Sequence, residues 1–479
     1  MRQCLTSDLG GYYTPNTASD RDQFGTKGDF VTSPEISQIF GELIGVWVVA
    51  EWMAQGKKGE GVYLMEVGPG RGTLMDDMLR TIRNFPALAK AIEAVYMVEA
   101  SRNLREAQHK LLCGENPLTE NRIGYGSVSR HSPDLKIIWA EDVRFVPREA
   151  DKTPFIIAHE FFDALPVHVF QSVAPASQKA PADATINTPT GPIKAPPRRL
   201  PQGNQWRELV VSPVPPHRLK PEEPEFELTM AKSATPHSMY LPETSSRYQA
   251  LKSTEGATIE ISPESQAFAR DFAIRLGGAN PSSPTPAKQT PTTTTSKSHQ
   301  IPSSPAEVLY HKPVPSGAAL IIDYGPPAII PANSLRGIKS HVRVSPFLSP
   351  GTTDVSANVD FISLAENAIN ASPGVEVHGP VSQALFLRAM GIQERAAQLV
   401  KGAVDRERGG SGGGVGAERD KGELTEIVKR VESGWRRLVD LSPQGMGGLY
   451  QVLAFVPFRP VGSGEVRRRP VGFGGDVRL

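Results

Sequence analysis

Cysteine is almost missing from this chain: its 479 residues hold only Cys4 and Cys113. Two cysteines cannot build a disulfide framework, and they stand in no zinc-ligand spacing. They read as ordinary thiols, and no metal site is expected. An excess of either charge is also missing, with 52 Lys and Arg against 51 Asp and Glu. That balance argues against nucleic-acid binding through bulk charge, though not against a local basic groove. No apolar run is long enough to span a membrane. The nearest, around Ile39–Met53, is broken by Gly41, Glu42, Gly45 and Glu51. The first residues have neither the apolar stretch of a signal peptide nor an Arg-rich amphipathic presequence. Turn-rich, motif-like text (GGYYTP) arrives within a dozen residues, so the chain is expected to begin inside a structural element, with its true start lost.

Several stretches have too few apolar residues to offset the entropy of ordering. They are about 173–203, rich in Pro, Ala and Thr, and about 277–305, rich in Pro, Ser and Thr. Both read as disordered inserts. Residues 408–416 (RGGSGGGVG) read as a flexible linker, and the Gly/Arg-rich tail 458–479 reads as frayed. There is no internal repeat.

Between these stretches, strand-like and helical text alternates. Val62–Val67, Ala94–Val98, Lys136–Trp139, Pro154–Ala158, Ala319–Asp323 and Tyr450–Phe455 read as buried strands. Helical text follows the first strand from Thr73 to about Asn84 and the second across Leu104–Leu112. The alternation predicts an α/β, doubly wound, Rossmann-like domain with a parallel sheet and helices on both faces. Its ligand should lie beyond the carboxyl ends of the strands, at the switch in strand order.

The text after the first strand is Glu66-Val67-Gly68-Pro69-Gly70-Arg71-Gly72. Alternate glycines allow a sharp turn and a close backbone approach to a ligand. A dinucleotide fingerprint would carry its third glycine where Thr73 stands, which disfavours a nicotinamide oxidoreductase. An acid followed by Gly68, Gly70 and Gly72 suits S-adenosylmethionine, whose methionine part is compact and has no pyrophosphate. Glu66 would hold its cationic amino end or order the loop. The second strand ends at Glu99, which can accept both ribose hydroxyls. Asp142, after the third strand, stands where an acid meets adenine, or simply in a surface turn. After the fourth strand comes His159-Glu160-Phe161-Phe162-Asp163-Ala164-Leu165-Pro166. Its loop faces the transferred methyl in this architecture, so Glu160 and Asp163 are the candidate catalytic acids. Carboxylates hold a guanidinium in a planar pose and stabilise charge during nitrogen attack; helix capping is the plainer role for Asp163. Ser33-Pro34-Glu35 is a helix start, and the segment before it, with Gly25, Lys27 and Gly28, reads as a lid. The domain division is thus an N-terminal helical and lid segment over 1–61, a catalytic domain over 62–457 and the tail.

Taken together, GYYT, FGTKGDFVTSPEISQIFGELIG, EVGPGRGTLMDDMLR, VEASRNLREAQ, AHEFFDALPVHVFQ, LIIDYG, PGTTDVSANVDF, GPVSQALFLRAMGIQERAAQL and MGGLYQVLAF carry a resemblance. The chain resembles the MidA-like protein arginine methyltransferases, assembly factors of mitochondrial complex I, from about residue 1 to about 457. The resemblance implies a class I S-adenosylmethionine-dependent methyltransferase fold and a mitochondrial enzyme. It also implies symmetric dimethylation of an arginine in a complex I core subunit, which would be the protein partner. A non-catalytic assembly chaperone that keeps the cofactor is the alternative. Carried onto this chain, Gly68, Gly70 and Gly72 form the cofactor loop and Glu99 the ribose contact, with Glu160 and Asp163 on the acceptor side.

Overall fold

The computed structural model describes residues 1–7, 9–14, 28–174, 185–188, 191–194, 203–281, 310–410, 417–443, 445–460 and 467–474. Seven strands organise it: β1 (Val62–Val67), β2 (Ile92–Val98), β3 (Lys136–Ala140), β4 (Thr153–His159), β5 (Ala318–Tyr324), β6 (Val375–Ser382) and β7 (Tyr450–Pro457). They form one sheet in the order β6-β7-β5-β4-β1-β2-β3, extended past β3 by two short strands, Tyr125–Val128 and Thr119–Glu120. β1 pairs in parallel with both β2 and β4. The strand order reverses there, so the crevice lies beyond the ends of these strands.

The fully parallel sheet expected from the alternation is corrected at its edge. β7 runs antiparallel to both β5 and β6. A strand buried on both faces reads as the same apolar run in either direction, so YQVLAF carried no sign of its polarity.

Side chains alternate across the sheet. Leu64, Ile157 and Ile322 enter one core with helices α1 (Gln38–Ala54) and α2 (Thr73–Ile82). Met65, Ile156 and Ile321 enter the other core. Helices α4 (Pro263–Gly277) and α5 (Phe361–Ala371) cover that face, and α3 (Arg102–Cys113) connects β2 toward β3. α1 lies tight on α2 because Gly41 has no side chain: a Cβ there would come within 2.5 Å of Asp77 Cβ.

Two smaller sheets flank the main one, and the second of them, after β5, contributes to the crevice wall. The chain between β4 and β5 forms an antiparallel sheet of Phe226–Met230, Gln205–Pro213, His168–Val173 and Thr258–Ile261. After β5 come Arg336–Lys339, Val342–Val344 and Asp354–Ser356. Of the expected inserts, 173–203 contains an antiparallel pair, Thr185–Thr188 with Gly191–Lys194; its residues 175–184, 189–190 and 195–202 lie outside the described residues. α4 runs through Gly277, and 282–309 lie outside. A helix, Ile392–Gly410, enters the expected linker, whose residues 411–416 lie outside.

The tail, expected to fray, docks instead over 467–474. Glu51 on α1 is fully buried and draws its counter-charge from Arg468. Trp47 Nε1 donates to the Val471 carbonyl at 3.2 Å, and Phe473 is buried. A buried carboxylate without a cation is costly, so the glycine-rich composition is overridden here by one ion pair and one aromatic ring.

Candidate active site

One cavity of about 430 Å³ opens at the carboxyl ends of β1, β2 and β4. Glu66, Gly68, Gly70, Glu99, Asp142, Glu160 and Asp163 all line it. Gly72 does not; it caps α2 in a left-handed conformation, φ 84°.

At one end is the glycine loop. Gly68 and Gly70 have φ of 64° and 53°, a region that L side chains enter only at a cost. A Cβ on Gly68 would also meet Phe161 Cδ2 at 2.6 Å. Gln108 on α3, fully buried, fixes the loop: its Nε2 donates to the Gly70 carbonyl at 2.6 Å and to Glu99 Oε2 at 3.3 Å. Trp139 Nε1 in turn donates to Gln108 Oε1 at 2.9 Å. Sequence reasoning missed Gln108, whose only signal was a buried polar residue on an otherwise amphipathic helix. Glu99 also accepts the Ser101 N–H at 2.8 Å. Burial pushes Glu66 up to about 8, with help from the Glu99 charge, and lifts Glu99 to about 7 against the pull of these donors. Glu66 Oε2 is buried with no hydrogen-bond partner among the described residues. A buried carboxylate oxygen of that kind calls for a cation or a donor from a ligand.

Asp142 sits on the rim and already has partners. It caps the short helix Val143–Phe145 through the Arg144 N–H and grips the Arg144 guanidinium at 2.8 and 2.9 Å. Burial alone would raise its pKa, but these bonds hold it below the usual range.

At the other end, the loop after β4 turns sharply. Glu160 adopts φ 50°, a strained value for a side chain other than glycine. Asp323, at the end of β5 and fully buried, holds the turn: Oδ2 accepts the Phe161 and Phe162 N–H groups at 3.0 and 2.7 Å. Burial and then the Asp163 charge drive Glu160 well above the ordinary carboxylate value. Its Oε1 lies 3.3 Å from His159 Nε2, but the pair misses hydrogen-bond alignment and neither atom has a hydrogen-bond partner among the described residues. Burial lowers His159 to about 3, so it is neutral and supplies no counter-charge. Asp163 is also raised by burial, against the attraction of Arg336. Asp354, from the third sheet, is lifted to about 7 by burial and by Asp163, and it accepts from Tyr13 Oη at 3.1 Å. Tyr13 and Phe30, from the segment read as a lid, line the cavity with Tyr324 and Arg336; residues 15–27 lie outside the described residues. Asp323, Tyr324, Asp354 and Tyr13 were absent from the residue-level candidates. Their text nevertheless stands inside GYYT, LIIDYG and PGTTDVSANVDF.

Residues 43–381 match a protein family described as "Putative S-adenosyl-L-methionine-dependent methyltransferase". The chain belongs to this methyltransferase family. Among curated relatives, the methyltransferase is 31% identical to the rat protein "Protein arginine methyltransferase NDUFAF7, mitochondrial", covering 97% of this chain and 81% of the relative. Against the human protein of the same name it is 28% identical, covering 98% of this chain and 81% of the relative. Among solved structures, it superposes on a Burkholderia thailandensis protein bound to S-adenosyl-homocysteine with a TM-score of 0.58, at 20% identity, covering 95% of this chain and 86% of that chain. That last likeness is one of fold.

The cofactor of the family is S-adenosylmethionine, and the residues fit it. The glycine loop leaves backbone bare beside the cavity. The unsatisfied Glu66 oxygen suits a ligand ammonium, and Glu99 presents a carboxylate at the tip of β2.

Proposed function

We propose that this methyltransferase acts on the guanidinium of a protein arginine. The observation that carries the reading is the acidic end of the cavity. Glu160, Asp163 and Asp354 are gathered there in a buried space, with their ionised forms disfavoured. Arg336 is the cation set against Asp163. Like charges this close need a positive guest. A guanidinium supplies one, with planar donors that match carboxylates.

S-adenosylmethionine, when bound, supplies an electrophilic sulfonium methyl. In this reading Gly68, Gly70, Glu66 and Glu99 bind it, with Asp142 at the adenine side. Glu160 and Asp163 orient the guanidinium and lower its remaining freedom, which brings the nitrogen toward the methyl in an attack geometry. Their carboxylate oxygens also take up the proton that leaves the attacking nitrogen. Asp323 keeps the loop in place, and Tyr13 and Phe30 help to shield the cavity. The catalytic domain runs over 62–457.

The relatives' names support an arginine acceptor and a mitochondrial location. The finer reading is symmetric dimethylation of a complex I core subunit during assembly. The test is incubation of the full chain with methyl-labelled S-adenosylmethionine and isolated complex I core subunits, followed by amino-acid analysis. Labelled symmetric dimethylarginine is expected. Label on another residue type would overturn the acceptor. No transfer by a chain that binds the cofactor would favour a non-catalytic assembly chaperone.

A further inference from the structure

The antiparallel sheet between β4 and β5 carries a cluster that methyl transfer does not use. His168 begins the strand His168–Val173. Glu208 lies on the neighbouring strand Gln205–Pro213, opposite Phe170. Two residues from that pairing, His168 lies on the same face of the sheet as Glu208. His237 comes from the helix Pro236–Tyr240. We propose that His168, Glu208 and His237 form a binding site for a divalent transition metal of the zinc type, separate from the methyl-transfer cavity.

Two imidazoles and one carboxylate are the donor set such ions prefer. One ligand atom from each residue lies within 4.8 Å of the other two. His168 Nδ1 is 2.7 Å from Glu208 Oε1, and His237 Nδ1 is 3.7 Å from the same oxygen. With metal–ligand bonds of about 2.1 Å, tetrahedral ligands stand about 3.4 Å apart. The second separation is therefore near bonded spacing, and the first needs to open by less than about 1 Å.

The ligands are also braced from outside. Thr235 Oγ1 donates to Glu208 Oε2. The same hydroxyl accepts from the Ser238 N–H at 3.0 Å, capping the helix that presents His237. One residue thus orients a carboxylate ligand and a histidine ligand together, as outer-shell partners of metal sites do. His237 is half-exposed, which leaves an entry path and room for a water on the metal.

Both imidazoles face the same carboxylate oxygen, His168 at 2.7 Å and His237 at 3.7 Å. The His237 ring lies 4.2 Å from the His168 ring, centroid to centroid. His168 stands two residues after Pro166, which lines the cavity. The metal would therefore clip the strand leaving the acceptor loop to the helix beside it.

The test uses the untagged full chain, stripped with a chelator and titrated with Zn²⁺ against a chromophoric competitor. Wild type, His237→Ala and Glu208→Gln are compared, with circular dichroism and S-adenosylmethionine binding as checks on folding. One Zn²⁺ per chain is expected in wild type, together with a rise in Tm. His237→Ala is expected to weaken binding by at least about tenfold. Glu208→Gln should weaken it further; His237→Ala, altering a half-exposed side chain, carries the test if Glu208→Gln fails to fold. Absence of stoichiometric binding would overturn the proposal. So would unchanged affinity in folded His237→Ala, which would leave His168 and Glu208 as an ion pair only.

Discussion

The two ends of the cavity are built in different ways. The end proposed for the cofactor comes almost entirely from β1, β2 and the helices that follow them: Glu66, the glycine loop, Glu99 and Gln108 lie within a short stretch of chain. The end proposed for the acceptor is drawn from four distant segments: Tyr13 near the start, Glu160 and Asp163 after β4, Asp323 at the end of β5, and Asp354 in the third sheet. One end is thus a compact local motif, and the other is a set of side chains that only the tertiary structure assembles.

This partition implies separable losses. The largest expected effect is at Glu160. Glu160→Gln should lower the turnover of methyl transfer by about 10²–10³-fold, the usual scale for losing one transition-state contact. Its cofactor affinity should stay within about twofold of wild type on the same argument. Single-turnover assays with equilibrium binding separate the two, and a parallel loss in both would erase the distinction between the ends. Gly68→Val should do the reverse at the binding step. Its backbone strain of ~1–3 kcal/mol, added to the close approach to Phe161, should weaken S-adenosylmethionine by about a hundredfold while the folded chain persists. Circular dichroism with a binding titration checks this.

A smaller effect concerns pH. Glu66 and Glu99 have folded values of about 8 and 7, above their ordinary value of 4.5. Between these limits the folded chain holds more protons than the unfolded chain, so the stability of the ligand-free protein falls as pH rises through the window. A cationic ligand favours the ionised acids and opposes that trend. Thermal melts from pH 5.5 to 8 should show Tm falling without S-adenosylmethionine, and the stabilisation it confers should grow with pH. A stabilisation that shrinks with pH would contradict the assignment of Glu66 and Glu99. Smallest is Tyr13→Phe. It removes one hydrogen bond to Asp354, worth ~0.5–1.5 kcal/mol, and should raise the KM of the acceptor protein severalfold with cofactor affinity unchanged.

The same contrast explains what was legible in the sequence. The strands, the glycine loop and the three acids Glu99, Glu160 and Asp163 after β2 and β4 follow from local pattern, since apolar runs, turn glycines and strand ends are short-range features. Direction is not a short-range feature, so β7 was misread as parallel. Nor is the pairing of Glu51 with Arg468, two residues at opposite ends of the chain, which is why the tail seemed free. At the acceptor end, Asp323 and Asp354 look like ordinary strand-end and turn acids until β5 and the third sheet bring them toward Glu160. Their only sequence signal was the family resemblance. The His168, Glu208 and His237 cluster has no linear spacing that marks a metal site, because each ligand comes from a separate element.

The division of the cavity is tested most directly by calorimetric titration of S-adenosylmethionine into wild type, Glu66→Gln and Glu160→Gln in parallel. The account predicts one site per chain in wild type, nearly unchanged binding in Glu160→Gln, and clear weakening in Glu66→Gln. Equal weakening in both variants, or no binding by folded wild type, would contradict it.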